Sequence, residues 1–209
     1  SAVVGGSVTD GSETSRFIAG DGIAAEQHRA IAAFDAIELN LPAELVFMPS
    51  TEPELYLKAD NNLLDIIDTK VIDGVLVISA TAGFSSRVPI VIRCASAQLR
   101  RALLRGAGSM LLADVAAEAL QIDVLGAGFI RATGNAEQLV ASIMGSGGID
   151  SRDIAANTCQ LSVQGSGTLQ SQCFEQLQAS LLGSGEVRVE GSPRHRSLSN
   201  LGAGLISIR

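Results

Sequence analysis

Asp114 and Asp153 are the residues of this chain best spaced for acid–base chemistry. Each stands at the ninth position of a repeat that opens with a Gly-x-Gly triplet, so in a stack of such repeats they fall two turns apart. With neighbouring strands about 4.8 Å apart, their carboxyl groups would be separated by about 9 to 10 Å, a spacing that suits an inverting glycosidase pair. The pattern gives them little company. Gly134 holds the ninth position in the repeat between them, Cys173 holds it in the next, and spacing fixes no Tyr, His or Lys nearby. Asp and Gly are also ordinary turn formers, which is the plainer account of this column.

Other reactive residues are scattered. Cys94, Cys159 and Cys173 are odd in number and lack metal-ligand spacing. Cys159 falls in a column of leucines and Cys94 in the apolar run 88–95, so both are expected as small buried hydrophobes, whereas Cys173 falls at a corner and is open to exposure. His28 has no partner by spacing, and no Ser-His-Asp or Cys-His arrangement emerges. Arg131 and Asp150 share an outward column as a candidate surface ion pair. Arg100, Arg101, Arg105 and the run Arg194-His195-Arg196 are local positive charge on a chain of net charge −7. They are expected to keep solenoid ends soluble, or to meet an anionic glycan or lipid.

The glycine triplets are not a nucleotide fingerprint, because none carries the third glycine that opens a helix in a dinucleotide-binding unit. They are structural corners. Gly106 and Gly108, Gly126 and Gly128, Gly145 and Gly147, Gly165 and Gly167, Gly183 and Gly185, and Gly202 and Gly204 bracket one small residue each, at a nearly constant spacing. Two positions before each triplet stand Leu104, Val124, Ile143, Val163, Leu181 and Asn200; three before stand Leu103, Asp123, Ser142, Ser162, Ser180 and Ser199. Alternation of that kind marks half-buried strands. A repeat that cannot bury its own apolar side must be covered by the next, which predicts an all-β parallel β-solenoid of about 19 residues per turn, with two short strands flanking each glycine corner. Stacked aliphatic columns need few aromatics, and only 3% of the chain is aromatic although 46% is hydrophobic.

Ahead of the ladder, residues 1–28 are rich in Gly, Ser, Thr and Asp and are expected to form a flexible tether. Residues 29–209 are expected to form one solenoid domain, with irregular first coils over 29–105 and regular repeats over 106–209. Strands are predicted from Phe34 to Leu41, Glu44 to Met48, Glu54 to Ala59 and Val75 to Ser79, the last entered through an Asp73-Gly74 hairpin turn.

The ordered set Phe34-Asp35-Ala36-Ile37-Glu38-Leu39, Leu57-Lys58-Ala59-Asp60-Asn61-Asn62-Leu63-Leu64 and Asp73-Gly74-Val75-Leu76-Val77-Ile78, followed by Gly-Ser-Gly corners, resembles the DUF2807 family of auto-transporter adhesin head, or GIN, domains. The resemblance covers roughly residues 29–209. It implies a right-handed parallel β-helix exported across the inner membrane of a bacterium to the periplasm, outer membrane or cell surface, with no assigned enzymatic activity and no cofactor. One departure is Asn40-Leu41-Pro42-Ala43, where the family commonly has a Gly-Ser-Gly corner, so the first corner here must be built differently. The start at Ser1 without methionine fits an exported chain whose signal peptide or lipid anchor has been removed.

Composition narrows the partners. Lys58 and Lys70 are the only lysines and no long basic run exists, which argues against nucleic acid. No apolar stretch approaches the length of a membrane span, about 18 residues. Three functions remain: a non-catalytic envelope module binding a glycan or protein through a rigid surface, a carbohydrate-active enzyme using Asp114 and Asp153, and a structural module. The apolar last turn, with Leu205, Ile206 and Ile208, predicts a homo-oligomer through an exposed solenoid end.

Overall fold

The computed structural model describes residues 16–209. Its chain runs through β1 (Phe17–Ala19), β2 (Ala24–His28), β3 (Ala36–Leu39), β4 (Glu44–Pro49), β5 (Glu54–Asp60), a 3-10 helix (Asn61–Ile66), β6 (Ile67–Ile72), β7 (Val75–Ala80), β8 (Gly83–Ser85), β9 (Val91–Ser96) and β10 (Arg101–Gly106). The ladder follows as β11 (Ser109–Gly126), β12 (Phe129–Gly145), β13 (Gly148–Gly165), β14 (Thr168–Gln172), β15 (Gln176–Leu182), β16 (Glu186–Glu190), β17 (His195–Leu201) and β18 (Leu205–Ile208).

These strands form a parallel β-solenoid with two faces. One face stacks β6, β7, β3, β10, the second halves of β11, β12 and β13, then β15 and β17. The other stacks β2, β5, β9, β4, the first halves of β11, β12 and β13, then β14, β16 and β18. The spacing of the glycine triplets is the register of the stack. Arg101, Gln121, Val140, Gln160, Gln178 and Ser197 are successive partners, each at the same distance ahead of its own triplet. Inward columns such as Leu104, Val124, Ile143, Val163 and Leu181 are buried, and one apolar cluster runs from Phe34 to Val189. Each such side chain contributes roughly 1.5–3 kcal/mol through the surface it removes from water.

The corners need glycine for two reasons. From Gly106 to Gly183 the opening glycine adopts positive φ, +127° at Gly145, where a side chain is strained. The closing glycine lies against the turn below: a Cβ on Gly167 would stand 2.5 Å from the Gly147 carbonyl oxygen and 2.8 Å from Ile143. The second corner of the central turns differs from the two-strand expectation. β11, β12 and β13 run through it as continuous strands of 18, 17 and 18 residues, interrupted by bulges at 112–115 and 131–133. An extra residue absorbed in a bulge lets turns of unequal length stay stacked.

The first coils are more regular than their sequence suggests. β3 and β4 form a full turn in register with β10 and β11, although the turn built from β7 and β9 lies on its other side. Its corner is Leu41-Pro42-Ala43, which packs under Gly108 within 2.8 Å of where a Cβ would be. Asp73 and Gly74 both have positive φ, 50° and 78°, and close the expected hairpin between β6 and β7.

Composition reads residues 1–28 as a tether, and residues 1–15 lie outside the described residues. Residues 17–28 instead form β1, parallel to β8, and β2, antiparallel to β5. The physical reason is Asp60. Its carboxylate is fully buried and accepts from the backbone N–H groups of Gly22 (2.8 Å), Arg87 (3.0 Å) and Val88 (3.1 Å), which ties the early segment to the loop before β9. Arg29 completes the attachment by donating to the carbonyls of Ile67 (2.6 Å) and Leu64 (2.7 Å). The 3-10 helix buries Leu63, Leu64 and Ile66 there.

Candidate functional site

The candidate site grows from β5. Leu55, Leu57 and Ala59 point inward, so Glu54, Tyr56 and Lys58 point out. Antiparallel register with β2 sets His28 opposite Tyr56, antiparallel register with β9 sets Arg93 on its other side, and parallel register with β4 places Val46 next. Four side chains thus form one transverse row on adjacent strands. A second row brings Glu54, Ala95 and Met48 together. The antiparallel strands exist because Pro49 and Pro53 bracket a turn that reverses the chain after β4, and a proline cannot donate to a ladder.

The only tyrosine of the chain is the centre of the arrangement. The His28 and Tyr56 ring centroids are 5.2 Å apart and tilted by 59°, and the Arg93 guanidinium carbon lies 5.3 Å from the Tyr56 ring centroid. Glu26, on the neighbouring strand β2, is the main cause of a Tyr56 pKa above its ordinary value. With Met48, 53% exposed, these residues line an open groove of about 540 Å³. A ring flanked by an imidazole, a guanidinium and two carboxylates offers an apolar surface with hydrogen-bond donors and acceptors at its rim. His28, without a partner by spacing, gains one only because β2 folds back on β5. The alternation over Glu54 to Ala59 was the one sequence signal that Tyr56 faces outward.

Asp114 and Asp153 are brought close to one column but not into this groove. Asp114 sits in the bulge of β11 with φ +52° and donates its N–H to Thr133 Oγ1 (3.0 Å), while Asp153 is the register partner of Thr133. The two therefore bracket Thr133, and the expected partner Gly134 pairs with Val115. Both aspartates are exposed, and Asp153 is bound to Arg131 at 3.0 Å. Arg131 and Asp150 do share a column, yet Asp150 pairs with Arg152 at 2.9 Å, and this contact holds its carboxyl below the usual range.

The cationic residues are also taken up locally. Arg100 meets Asp35 at 2.9 Å, Arg105 meets Glu38 at 3.4 Å, Arg101 approaches Asp123 at 3.9 Å and Arg194 approaches Glu175 at 3.5 Å. Exposed pairs of this kind contribute at most about 1 kcal/mol each. Cys94 and Cys159 are buried as expected, and so is Cys173, whose corner position had left it open to exposure. Its corner turns inward, with the thiol set against backbone carbonyls of the core. Among the described residues no three His, Cys, Asp or Glu converge to hold a metal ion, and no helix is long and apolar enough to cross a membrane.

Fold and face together define a parallel β-solenoid whose aromatic groove lies on a flat sheet side rather than at the carboxylate column. The chain belongs to the DUF2807 family, described as "Putative auto-transporter adhesin, head GIN domain", whose signature matches residues 33–193. Among solved structures, a protein described as a putative adhesin from Bacteroides fragilis NCTC 9343 superposes with a TM-score of 0.73 at 19% identity, over 91% of this chain and 99% of its own. One described as a putative lipid binding protein from Parabacteroides distasonis ATCC 8503 gives 0.60 at 21% identity, over 93% and 100%. A putative adhesin from Parabacteroides merdae ATCC 43184 gives 0.57 at 18%, over 92% and 99%. At these identities the likeness is one of fold. No curated protein matches the chain.

Proposed function

We propose that this protein is a non-catalytic, exported cell-envelope module, adhesin-like, that binds an oligosaccharide through the groove around Tyr56. The observation that carries this reading is the Tyr56 ring, held between His28 and Arg93 on the outer side of a continuous sheet, with Glu26 and Glu54 at its edge. Strand-borne side chains are fixed by ladder register, so little ordering is needed when ligand arrives. Export agrees with the family's description as an adhesin head domain. A non-catalytic role agrees with the state of the alternative pair: Asp153 is engaged by Arg131, and neither Asp114 nor Asp153 lines the groove.

Affinity electrophoresis through gels containing bacterial and host polysaccharides tests the reading. The wild-type protein is expected to be retarded by at least one polymer, without shortening it. Tyr56→Ala is expected to weaken retardation about tenfold, the ~1.4 kcal/mol of a central aromatic contact. Shortened polymer, abolished by Asp114→Asn and Asp153→Asn, would establish a carbohydrate-active enzyme instead. Retardation by none of the polymers contradicts the proposal.

A second copy of the chain is the proposed partner at the solenoid's C-terminal end. There β17 and β18 each pair on one side only, and Leu198, Leu201 and Leu205 are exposed. Residues 191–209 carry Arg196 and Arg209, besides the Arg194 that meets Glu175, and no acidic residue, whereas residues 61–73 at the opposite end carry Asp65, Asp68 and Asp73 against Lys70. Opposite charge favours head-to-tail stacking over contact of like ends. Sedimentation at high micromolar concentration is expected to show oligomers that added salt and Leu201→Glu both dissolve. A strict monomer would contradict this assembly.

A further inference from the structure

Cys159 and Cys173 stand on different elements, yet they meet inside one turn. Cys159 occupies an inward column between Leu139 and Leu177. Cys173 follows β14 at the second corner, where its N–H donates to the Glu190 carbonyl at 3.0 Å. The Cys159 sulfur lies 3.4 Å from the carbonyl oxygen of Gln172, the peptide whose nitrogen belongs to Cys173. The Cys173 sulfur lies 3.1 Å from the Gln176 carbonyl and 3.6 Å from that of Asn157, and Gln176 is the register partner of Thr158, next to Cys159. Each thiol is thus packed on the backbone that carries the other. Cys94 is in β9, in the first coils.

We propose that Cys159 and Cys173 are a disulfide site, closed by exchange with a low-molecular-weight disulfide as the corner forms. The Cys173 thiolate attacks the small disulfide, forming a mixed disulfide and releasing one small thiolate, which takes up the proton that Cys173 lost. The Cys159 thiolate then attacks the Cys173 sulfur, the protein S–S bond forms, and the second small thiol leaves with the proton of Cys159. The protein pair is oxidised by two electrons and the small disulfide reduced to two thiols. The neighbouring Cys159 thiol holds the Cys173 pKa below its ordinary value, while the same proximity and burial raise that of Cys159, so Cys173 is the first nucleophile. Once formed, the bond crosses the corner inside the core, where a reductant reaches it only when the turn opens.

The sequence supplies its own assay. Asp153 to Arg188 contains no internal Lys or Arg and follows Arg152, so one tryptic peptide carries both cysteines while Cys94 falls in another. The reduced full-length chain is refolded with oxidised and reduced glutathione, and a second sample of native reduced protein is exposed to oxidised glutathione in sub-denaturing urea. Both are then denatured, alkylated and digested. The expected result is a 153–188 peptide lighter by about 2 Da and free of alkyl groups, with Cys94 alkylated. The oxidised protein is expected to unfold at higher urea than the reduced one. Two alkyl groups on the 153–188 peptide in both samples, or a cross-link to Cys94, would overturn the proposal.

Discussion

Gly145→Ala is expected to destabilise the solenoid by about 3 kcal/mol or more, while Ser146→Ala, at the next position, stays within about 0.5 kcal/mol. Gly145 combines a φ of +127° with a neighbour that leaves no room, because a methyl group there would stand 2.6 Å from the Gly126 carbonyl oxygen. Relief requires lifting one turn from the next, and that separates the N–H of Gly147 from Gly126 (2.9 Å) and of Ser166 from Gly145 (3.1 Å). Backbone strain alone accounts for about 1–3 kcal/mol, and the loosened ladder adds to it. Ser146 is exposed, and alanine takes the same place at Ala107, Ala127 and Ala203. Urea unfolding followed by circular dichroism reads both variants; equal midpoints for the two would show that the corner yields without opening the stack.

Asp60→Ala is expected to cost about 3 kcal/mol or more and to release residues 17–28 from the solenoid. The carboxylate satisfies three backbone N–H groups from two segments, and leaving buried donors without an acceptor costs about 1–3 kcal/mol apiece. Its titration gives the same contact a pH signature. Burial pushes the Asp60 carboxyl up, but the donated backbone hydrogen bonds outweigh burial and hold its pKa below the ordinary value. Because the folded pKa lies below the unfolded one, near 4, the contribution is complete above pH ~5 and is lost as pH falls through the folded value. Hydrogen exchange should show amides of β2 losing protection on acidification before those of β12. In Asp60→Asn the early loss should vanish, with β2 already weakly protected at neutral pH. Unchanged protection in β2 at low pH would mean that another contact secures the segment.

The two results also separate what the sequence discloses from what it conceals. Corners were legible because six glycine triplets repeat one steric problem, and the Asp73-Gly74 hairpin because two positive φ values have few residue solutions. Counting from the triplets works up to the second corner and loses phase beyond it. Leu112 pairs with Ala132, yet Val115 pairs with Gly134, so one strand spends an extra residue between the two pairs and the bulge moves Asp114 out of the column that counting assigns it. The groove was hidden for a different reason. It needs His28 and Glu26 from a stretch whose composition is that of a tether, and one buried carboxylate far along the chain, Asp60, secures that stretch. Neither Tyr56 nor Arg93 repeats, so no column announced them. Cys173 likewise looked like a corner residue because its burial depends on how β14 turns into β15, where the chain leaves the regular pattern.

Tyr56 makes oligosaccharide binding in the groove directly measurable, since the chain has one tyrosine and no tryptophan, and its ultraviolet emission reports the groove alone. The measurement is a fluorescence titration of the intact protein with oligosaccharides cut from whichever polysaccharide retards it in the gel. A saturable change in Tyr56 emission, with the same midpoint as the retardation and a weaker midpoint in Arg93→Ala, is the predicted result. Retardation that saturates while the emission of Tyr56 stays constant would place the binding surface elsewhere on the solenoid and rule out the groove around Tyr56.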